Sequence, residues 1–406
     1  MLQPKNLLMK VWYHIKVFFN KPFFSDRRTL YGLWLLLPLI AGITKLMQCN
    51  NFLIFRGVFH HLIARLPLYV SYPAEYFDLN HYGPFFSLVI APFAAVPIWV
   101  GLPAWLIGLS LFLYWAISTL PISNRKQIYI YWFCAHELLT ALFMQQFNVA
   151  IAAVIILAFT LIEREKDFWA AFFILLGTFT KLYGIVGLAF FFFSKHKLKF
   201  TVSCFAWAAF MFLAPMLISS PDYVVSQYVA WFEELVLKND GNNFALMQNI
   251  SLLGMIRKIS GCATYSNLWV IIPGLIIFFV PYFRLGQYKH LAFRETLLAS
   301  VLIFVVLFST GSESSTYIIA FVGVAVWYWA VPWKRSKWDI ALMIFAFLIT
   351  SMSPSDLFPR CIRENYIIPY ALKALPVAVI WFQLWYEMLT KNYDEKSYPG
   401  VKSSMC

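Results

Sequence analysis

The amino-acid sequence predicts an all-α polytopic membrane protein with about 11–13 transmembrane helices. Apolar residues make up 61% of the 406 residues and charged residues only 13%, whereas an ordinary soluble domain is about half apolar and a quarter charged. A soluble fold could not hide this much apolar surface, because its exterior has to be covered with polar groups. The chain also contains 22 Tyr and 16 Trp, and both residue types favour the headgroup level of a membrane.

Twelve apolar runs, separated by short charged or Pro-, Asn- and Ser-rich breaks, are predicted to be the membrane spans. The first run is expected to be a signal anchor, because residues 1–29 are basic and aromatic and show no small-residue cleavage site. We therefore expect a cytoplasmic N-terminus at 1–29, a single transmembrane domain at 30–388 and a cytoplasmic tail at 389–406. The predicted spans are 30–47, 85–100, 102–120, 128–143, 145–162, 168–193, 199–219, 267–284, 295–309, 315–332, 338–353 and 366–388.

The net charge of +13 is interpreted from the positions of the basic residues. Lys and Arg concentrate on the cytoplasmic side of membrane proteins, so the basic N-terminus is expected inside, in a bacterial cytoplasmic (inner) membrane. The excess charge indicates binding to anionic membrane lipids. It does not indicate nucleic-acid binding, since no soluble element carries a basic and aromatic patch.

Alternating the twelve spans from an inside N-terminus leaves one disagreement. The segment Asn124-Arg125-Lys126 falls outside, so either this break violates the charge rule or the region 85–120 crosses the membrane differently. The other basic clusters all fall inside. They are Lys195/Lys197/Lys199, Arg284/Lys289/Arg294 and Lys334/Arg335/Lys337.

Two long polar segments, 48–84 and 220–266, are expected to form large loops on the outer face. Each contains a stretch with aromatic and aliphatic residues at helical spacing, Phe52–Leu66 and Tyr223–Leu237, which predicts helices lying in the membrane interface. The outer segments also hold three cysteines, Cys49, Cys262 and Cys361. One disulfide among them and three free thiols are both open interpretations.

Carboxylates of the outer segments are candidate general bases. Glu75 and Asp78 are three residues apart, so one helical turn would place both on the same face, at the mouth of a membrane cavity where a carboxylate can accept a proton. The alternative is a solvated loop acid or a helix cap. Glu313 is a further candidate, because it stands at the outer end of another predicted span.

Charged residues inside the apolar runs are costly to bury, and this makes them candidate functional residues. Lys181, Glu137, His136 and Lys373 all lie within predicted spans. Lys181 could bind a phosphate group, or it could form a structural ion pair with Glu137. Arg257, in the second outer segment, could present donors to an anion, or it could be a surface arginine whose stem lies on apolar surface.

Several familiar catalytic motifs do not occur in the sequence. There is no DxD motif on an outer loop, no HExxH, no P-loop and no GxSxG. We therefore expect no metal ion and no cofactor. Hydrolysis of ATP is not expected either, because the chain has no soluble domain to carry it.

Four stretches of the chain resemble glycosyltransferase family 87, a group within the GT-C class of polytopic membrane glycosyltransferases. The first is Leu68-Tyr69 followed by Asn80-His81-Tyr82-Gly83-Pro84-Phe85-Phe86 and Ala91-Pro92-Phe93-Ala94-Ala95-Val96-Pro97. The second is Gln145-Gln146-Phe147-Asn148, and the third is Gly177-Thr178-Phe179-Thr180-Lys181. The fourth is Asn249-Ile250-Ser251-Leu252 with Gly254 and Arg257. No single stretch is specific to the family, but the four stretches in this order within residues 30–335 are.

The resemblance implies a transferase that moves a sugar, a hexose such as mannose, from a polyprenyl-phosphate donor to a lipid or glycan acceptor on the outer face. It implies inversion at the sugar carbon and a carboxylate base, for which Asp78 is our first candidate, Glu75 the second and Glu313 the third. Cations would bind the donor phosphate, and polar side chains would orient donor or acceptor. The implied substrate-binding residues are Arg56, Tyr82, Asn148, Lys181, Asn249, Ser251 and Arg257.

The sequence also departs from the family in two places. Many members have an Asp early in the first outer segment, where this chain reads Cys49-Asn50-Asn51-Phe52, and an Asn cannot accept the proton. Many members also have a Ser-Pro-x-Ser turn where this chain has Ser309-Thr310-Gly311-Ser312-Glu313. Either the base lies elsewhere in this chain or its activity differs from that of the best-known members.

Two other functions remain possible at this point. A transporter or flippase of lipid-linked saccharides would explain the intramembrane charges without a base, although the two halves show no inverted repeat of the kind that marks many transporters. A polymerase or ligase of envelope polysaccharide would use similar chemistry with another acceptor.

Overall fold

The computed structural model describes residues 17–18, 21–243, 245–262 and 264–398. Most of the predicted N-terminal tail and the last residues of the C-terminal tail lie outside this part of the chain. Within it the prediction of an all-α protein is confirmed, because the residues form helices and no β-strand. The longer α-helices are α1 Arg27–Lys45, α2 Asn50–Ala64, α3 Phe86–Ala94, α4 Ile98–Ser118, α5 Asn124–Phe143, α6 Asn148–Glu163, α7 Asp167–Lys181, α8 Lys197–Leu213, α9 Pro221–Gly241, α10 Leu252–Ser260, α11 Leu268–Phe279, α12 Leu291–Leu307, α13 Tyr317–Ala330, α14 Lys337–Phe345 and α15 Leu375–Thr390.

Shorter helical pieces join or extend these helices. There are two short α-helices, Pro22–Ser25 and Arg360–Ile362, and two π-helices, Ala346–Met352 and Arg363–Ile367. The 3₁₀ helices are Tyr183–Phe193, Ala214–Leu217, Val280–Phe283, Leu285–Gln287, Ser314–Thr316, Leu372–Ala374 and Glu395–Ser397.

The protein is a polytopic membrane protein. Among the described residues, the helix Ile98–Ser118 and the continuous helical segment Lys197–Leu217 are long and apolar enough to cross a membrane. The number rises to four if two bent pairs, α1 with α2 (88°) and Arg360–Ile367 with Leu372–Thr390 (95°), each count as one span. Other apolar helices of the described residues are shorter. The helices α6, α12 and α13 are almost completely buried and form the centre of the core.

The predicted span 85–100 does not form one crossing. Helix α3 has only 9 residues, about 14 Å of length against a hydrocarbon core of about 30 Å. The chain then breaks before Pro97, which has no N–H to continue the helical hydrogen bonds. Arg56 stabilises the break by donating from Nη1 to the carbonyl oxygen of Val96 at 2.6 Å. A single long helix, α4, follows.

The predicted span 168–193 is a hairpin of two helices. Helix α7 ends at Lys181, Leu182 adopts a left-handed backbone with φ of 62°, and the 3₁₀ helix Tyr183–Phe193 returns along α7. The two arms touch where two glycines meet, because a Cβ added to Gly184 would lie 2.5 Å from the Cα of Gly177. At the far end of the hairpin, Lys195 pairs with Glu165 at 2.6 Å. Lys181 therefore stands at the tip of a hairpin.

The single crossings predicted at 85–100 and at 168–193 are both wrong, and the two errors cancel in the order of inside and outside segments. Correcting them removes the disagreement over Asn124-Arg125-Lys126. With one crossing fewer before residue 124, Asn124 lies beside the start of α1 and accepts a hydrogen bond from Arg27 at 3.0 Å. The hairpin then restores the alternation, so that Arg294 pairs with Glu163 at 2.6 Å, at this same end. The second interpretation of 85–120, a different crossing, is the correct one.

The two outer segments pack against each other at the opposite end of the bundle. Both predicted helices exist, as α2 and α9. The side-chain oxygen of Gln227 accepts from the backbone N–H of Leu68 at 2.8 Å. The three outer cysteines are free thiols, with Cys49 buried and Cys262 and Cys361 exposed.

Candidate functional site

A cavity of about 430 Å³ lies where the outer segments meet the hairpin tip. Its volume is in the range of small-molecule sites. Its lining combines polar residues with an apolar wall where the returning arm of the hairpin packs against α12. The polar lining residues are Asn51, Asp78, His81, Tyr82, Gln146, Lys181, Tyr183, Lys238, Asn239, Asn242, Ser309, Thr310 and Glu313. The apolar lining residues include Leu182, Ile185, Val186, Ile271, Phe304, Val305 and Phe308.

A close backbone approach brings the first outer segment to the hairpin tip. The N–H of Gly83 donates to the carbonyl oxygen of Thr180 at 3.0 Å. A Cβ at Gly83 would lie 2.3 Å from the carbonyl oxygen of Phe179 and 2.9 Å from the Trp231 ring, so only glycine fits. This contact places the loop that carries Asp78 beside Lys181.

The three candidate carboxylates occupy different places. Asp78 and Glu313 both line the cavity, whereas Glu75 lies outside it and contacts Nε2 of His61 at 3.1 Å. The Asp78 side chain is 63% exposed and its backbone is left-handed, with φ of 73°. Such a conformation is uncommon outside glycine, although aspartate tolerates it better than most residues. The prediction that one helical turn places Glu75 and Asp78 on the same face is therefore wrong.

Lys181 is held by neutral groups. Its Nζ donates to Oδ1 of Asn148 at 2.7 Å and to Oε1 of Gln146 at 3.4 Å, and it lies over the rings of Tyr82 and Tyr183 at 5.4 and 5.5 Å. Ring faces and amide oxygens both stabilise an ammonium ion without cancelling its charge. Gln146 also donates from Nε2 to Oε2 of Glu313 at 2.6 Å, so one side chain connects the cation with the carboxylate.

The proposed ion pair between Lys181 and Glu137 is wrong. Glu137 pairs instead with Lys373, whose Nζ lies 2.8 Å from Oε1. Within the described part of the chain, Lys181 has no carboxylate oxygen within 4.0 Å. Its charge therefore faces the cavity.

A second cation, Lys238 on α9, lines the same cavity and was missed by sequence reasoning. It too has no carboxylate partner among the described residues. Burial lowers the pKa of Lys238, while the nearby carboxylates of Glu313, Asp78 and Glu234 raise it. The cavity thus holds two cations and two carboxylates that are not neutralised in direct pairs.

His81 and Glu234 form another contact that sequence reasoning missed. Nδ1 of His81 lies 3.0 Å from Oε1 of Glu234, and its Nε2 lies 3.9 Å from Oδ1 of Asp78. Burial, together with the charges of Lys238 and Lys181, lowers the pKa of His81 to about 3 against the opposing effect of Asp78. Burial raises the pKa of Glu234. At neutral pH the imidazole is therefore neutral.

The remaining predicted binding residues lie at different distances from the cavity. Tyr82 lines it, and Asn148 stands behind Lys181. Asn249 and Ser251 are bound to each other, with Ser251 Oγ donating to Asn249 Oδ1 at 2.7 Å, and Ser251 caps α10. Arg56, which bonds to the α3–α4 break, does not line this cavity.

Arg257 borders a second, smaller cavity of about 300 Å³. Its Nη2 donates to Oδ1 of Asn267 and to the carbonyl oxygen of Tyr265, both at 2.9 Å, and its guanidinium stacks on the Tyr265 ring at 4.1 Å. The two cavities share Asn239 and Ile271. Arg257 is thus anchored to its own segment beside the main cavity.

The missed residues had only weak signals in the sequence. His81 and Gln146 stand inside two of the quoted family-like stretches, so their place in a motif could have drawn attention to them. Lys238 and Glu234 lie on a helix with no motif. Asn51, at the place where many family members have an Asp, does line the cavity, and its amide donates to the carbonyl oxygen of Met144 at 2.8 Å.

The cavity therefore combines groups for three tasks. Its carboxylates can accept a proton from a hydroxyl, its cations can stabilise an anionic leaving group, and its apolar side can hold a hydrocarbon chain. All three sets of residues face one space.

Comparison with known proteins identifies the family of the chain. The family model for Glycosyltransferase family 87 matches residues 80–310, more than half of the chain, including the cavity residues His81, Lys181 and Lys238. No curated protein matches the chain. The protein belongs to glycosyltransferase family 87 and is a membrane glycosyltransferase.

Proposed function

We propose that the protein transfers a hexose, such as mannose, from a polyprenyl-phosphate donor to a lipid or glycan acceptor on the outer face of a bacterial cytoplasmic membrane. The observation that carries this proposal is the composition of the cavity. It brings two carboxylates, Asp78 and Glu313, and two cations, Lys181 and Lys238, together with an apolar wall.

The apolar wall supports a lipid-linked donor. Val186 on the returning arm of the hairpin and Phe304 and Phe308 at the end of α12 line this side. A prenyl chain placed there would enter from the membrane, and its phosphate would meet Lys181 at the hairpin tip. An ammonium that is held by neutral groups keeps its charge for the phosphate.

Asp78 is proposed as the base. It takes the proton of the acceptor hydroxyl while the oxygen attacks the anomeric carbon from the face opposite the phosphate. The new carbon–oxygen bond forms, the bond to the phosphate oxygen breaks, and the configuration inverts. The two lysines stabilise the charge that develops on the departing polyprenyl phosphate. This chemistry requires neither a nucleotide nor a metal ion.

The test is a transfer assay on the purified protein in lipid nanodiscs. A panel of labelled polyprenyl-phosphate hexoses is offered together with envelope lipids and glycans as acceptors. Asp78→Asn should lower the rate about 10²–10⁴-fold, the usual contribution of a positioned base. Glu75→Gln is the matched control, because Glu75 lies outside the cavity on the same loop, and it should leave the rate within about twofold.

Three results would contradict parts of the proposal. If the wild-type protein transfers sugar from none of these donors, the proposed donor class is wrong. If it is active and Asp78→Asn keeps the full rate while Glu313→Gln loses it, the donor stands and the base is Glu313. Movement of intact labelled donor across a bilayer without transfer would indicate a flippase instead.

A further inference from the structure

His81 links the proposed base to a buried carboxylate on another helix. Its two ring nitrogens face Asp78 on its own loop and Glu234 on α9, at 3.9 and 3.0 Å. The Glu234 side chain is only 9% exposed, whereas that of Asp78 is 63% exposed. One imidazole thus lies between an exposed carboxylate at the cavity and a buried one behind it.

The backbone around His81 is fixed from the same helix. Trp231, one turn before Glu234 on α9, donates from Nε1 to the carbonyl oxygen of His81 at 3.0 Å. On the other side, Gly83 is hydrogen-bonded to the hairpin. The loop backbone on either side of the imidazole is therefore held by α9 and by the hairpin.

We propose that His81 and Glu234 position Asp78 and carry away the proton that Asp78 takes from the acceptor hydroxyl. This inference rests on the proposed function. It adds two residues that act behind the base: His81 as the carrier and Glu234 as the group that orients the ring and receives the proton.

The proton movements balance as follows. Before transfer, Asp78 and Glu234 carry no proton, and the neutral imidazole carries its proton on Nδ1, which lies 3.0 Å from Oε1 of Glu234 without the geometry of a hydrogen bond. After Asp78 has taken the acceptor proton, its O–H bond breaks as an N–H bond forms at Nε2. A small rotation of the Glu234 carboxylate aligns it with Nδ1, the Nδ1–H bond breaks as an O–H bond forms on Glu234, and this proton leaves to water. The ring then gives its Nε2 proton to water and takes one at Nδ1, which restores the starting state. The gap of 3.9 Å between Asp78 and Nε2 closes by rotation of the exposed Asp78 side chain or through one water molecule.

The charges around His81 favour the neutral starting state. The groups that face it are Asp78 from its own loop, Glu234 and Lys238 from α9, and Lys181 from the hairpin. The two lysines oppose a third positive charge. A neutral ring with one free nitrogen is the form that can pass a proton on.

The first test compares Glu234→Gln with Glu233→Gln, a matched control on the exposed face of α9. Glu234→Gln keeps a side chain of the same shape beside Nδ1, but its amide cannot take the proton. We expect kcat to fall about tenfold at neutral pH, less than for loss of the base itself, with KM for the donor unchanged. The control should match the wild type.

The pH dependence separates a relay from a structural role. Burial raises the pKa of Glu234, so acidification protonates it earlier than an ordinary glutamate and stops it from accepting the proton. The wild type then loses its advantage, and the ratio of its rate to that of Glu234→Gln should shrink towards one as the pH falls. A purely structural contact would give a ratio that does not change with pH.

A second variant and a binding measurement keep the outcomes distinct. His81→Gln should also lower kcat about tenfold, and both variants should bind polyprenyl phosphate, the product common to every hexose donor, as the wild type does. If the wild type transfers sugar while both variants keep its rate and pH profile, the relay is wrong and the proposed function stands. If the wild type neither transfers sugar nor binds polyprenyl phosphate, the proposed function itself fails.

Discussion

Two groups of charged residues lie among the apolar helices, and they differ in how their charges are balanced. In the closed group each cation meets a carboxylate: Lys373 with Glu137 at 2.8 Å, and Arg335 with Glu387 at 2.7 Å. In the cavity group, Lys181 is held by amide oxygens and aromatic rings, and no carboxylate of the described residues lies within pairing distance.

The difference teaches how to interpret a charge inside a membrane protein. Burying an ion is costly, and a direct partner offsets most of that cost. A protein that instead stabilises the ion with neutral dipoles keeps its charge available for a ligand. Position in an apolar run therefore indicates a functional residue only when the partner is missing, and this separates Lys181 from Lys373.

The largest effect is expected when a closed pair is opened. Lys373→Met leaves Glu137 buried and unpaired, and should lower the free energy of unfolding by about 3–5 kcal/mol, measured by denaturation in mixed micelles. Arg360→Met is the matched control, because this arginine and its partner Glu364 are both exposed, and it should leave the free energy of unfolding nearly unchanged.

The double variant Lys373→Met with Glu137→Gln completes this test. Removing both charges should restore most of the lost free energy of unfolding, since no unpaired ion remains. Equal destabilisation by Lys373→Met and Arg360→Met would show that the closed pair is not what balances the charge of Glu137.

The opposite result is expected for Lys181. Lys181→Met should lower the rate of sugar transfer about 10²–10³-fold, because the charge on the leaving phosphate loses its closest cation. The free energy of unfolding should stay the same or rise, since a desolvated ion without a carboxylate partner is removed. Lys181→Arg keeps the charge and serves as the control.

A loss of stability would contradict this prediction. If Lys181→Met unfolds as readily as Lys373→Met, or keeps more than a tenth of the wild-type rate, the cavity group and the closed group do not differ in how their charges are used. Lys181 would then be a structural residue.

The sequence was sufficient for the fold class and for most helices, because apolar runs and their breaks follow from composition alone. It could not show that 168–193 reverses at Leu182. A largely apolar run of 26 residues suits one long span as well as two short arms. Only the close packing of Gly177 and Gly184 decides between them. For the same reason, the nine-residue helix α3 could not be told from a full span.

The site was predicted in part, since Asp78, Glu313, Tyr82 and Lys181 were among the candidates and now face one cavity. The sequence did not predict which lysine pairs with Glu137. Glu137 has two lysines available in the apolar runs, and its pairing with Lys373 depends on how distant helices pack. The contributions of α9 were missed because they depend on contacts between segments far apart in the chain.

The smallest effect is expected at Lys238, which is partly exposed at the cavity. Lys238→Met should raise KM for the donor about five- to tenfold at low ionic strength, since a cation in partly solvated surroundings contributes about 1 kcal/mol. Added salt should reduce this difference, because it screens exposed charges over distances of about 10 Å. Lys195→Met, which removes a charge at the opposite end of the protein, controls for net charge and should leave KM unchanged. A KM that is equally unaffected in both variants would show that Lys238 does not bind the donor and would leave Lys181 alone to bind the phosphate.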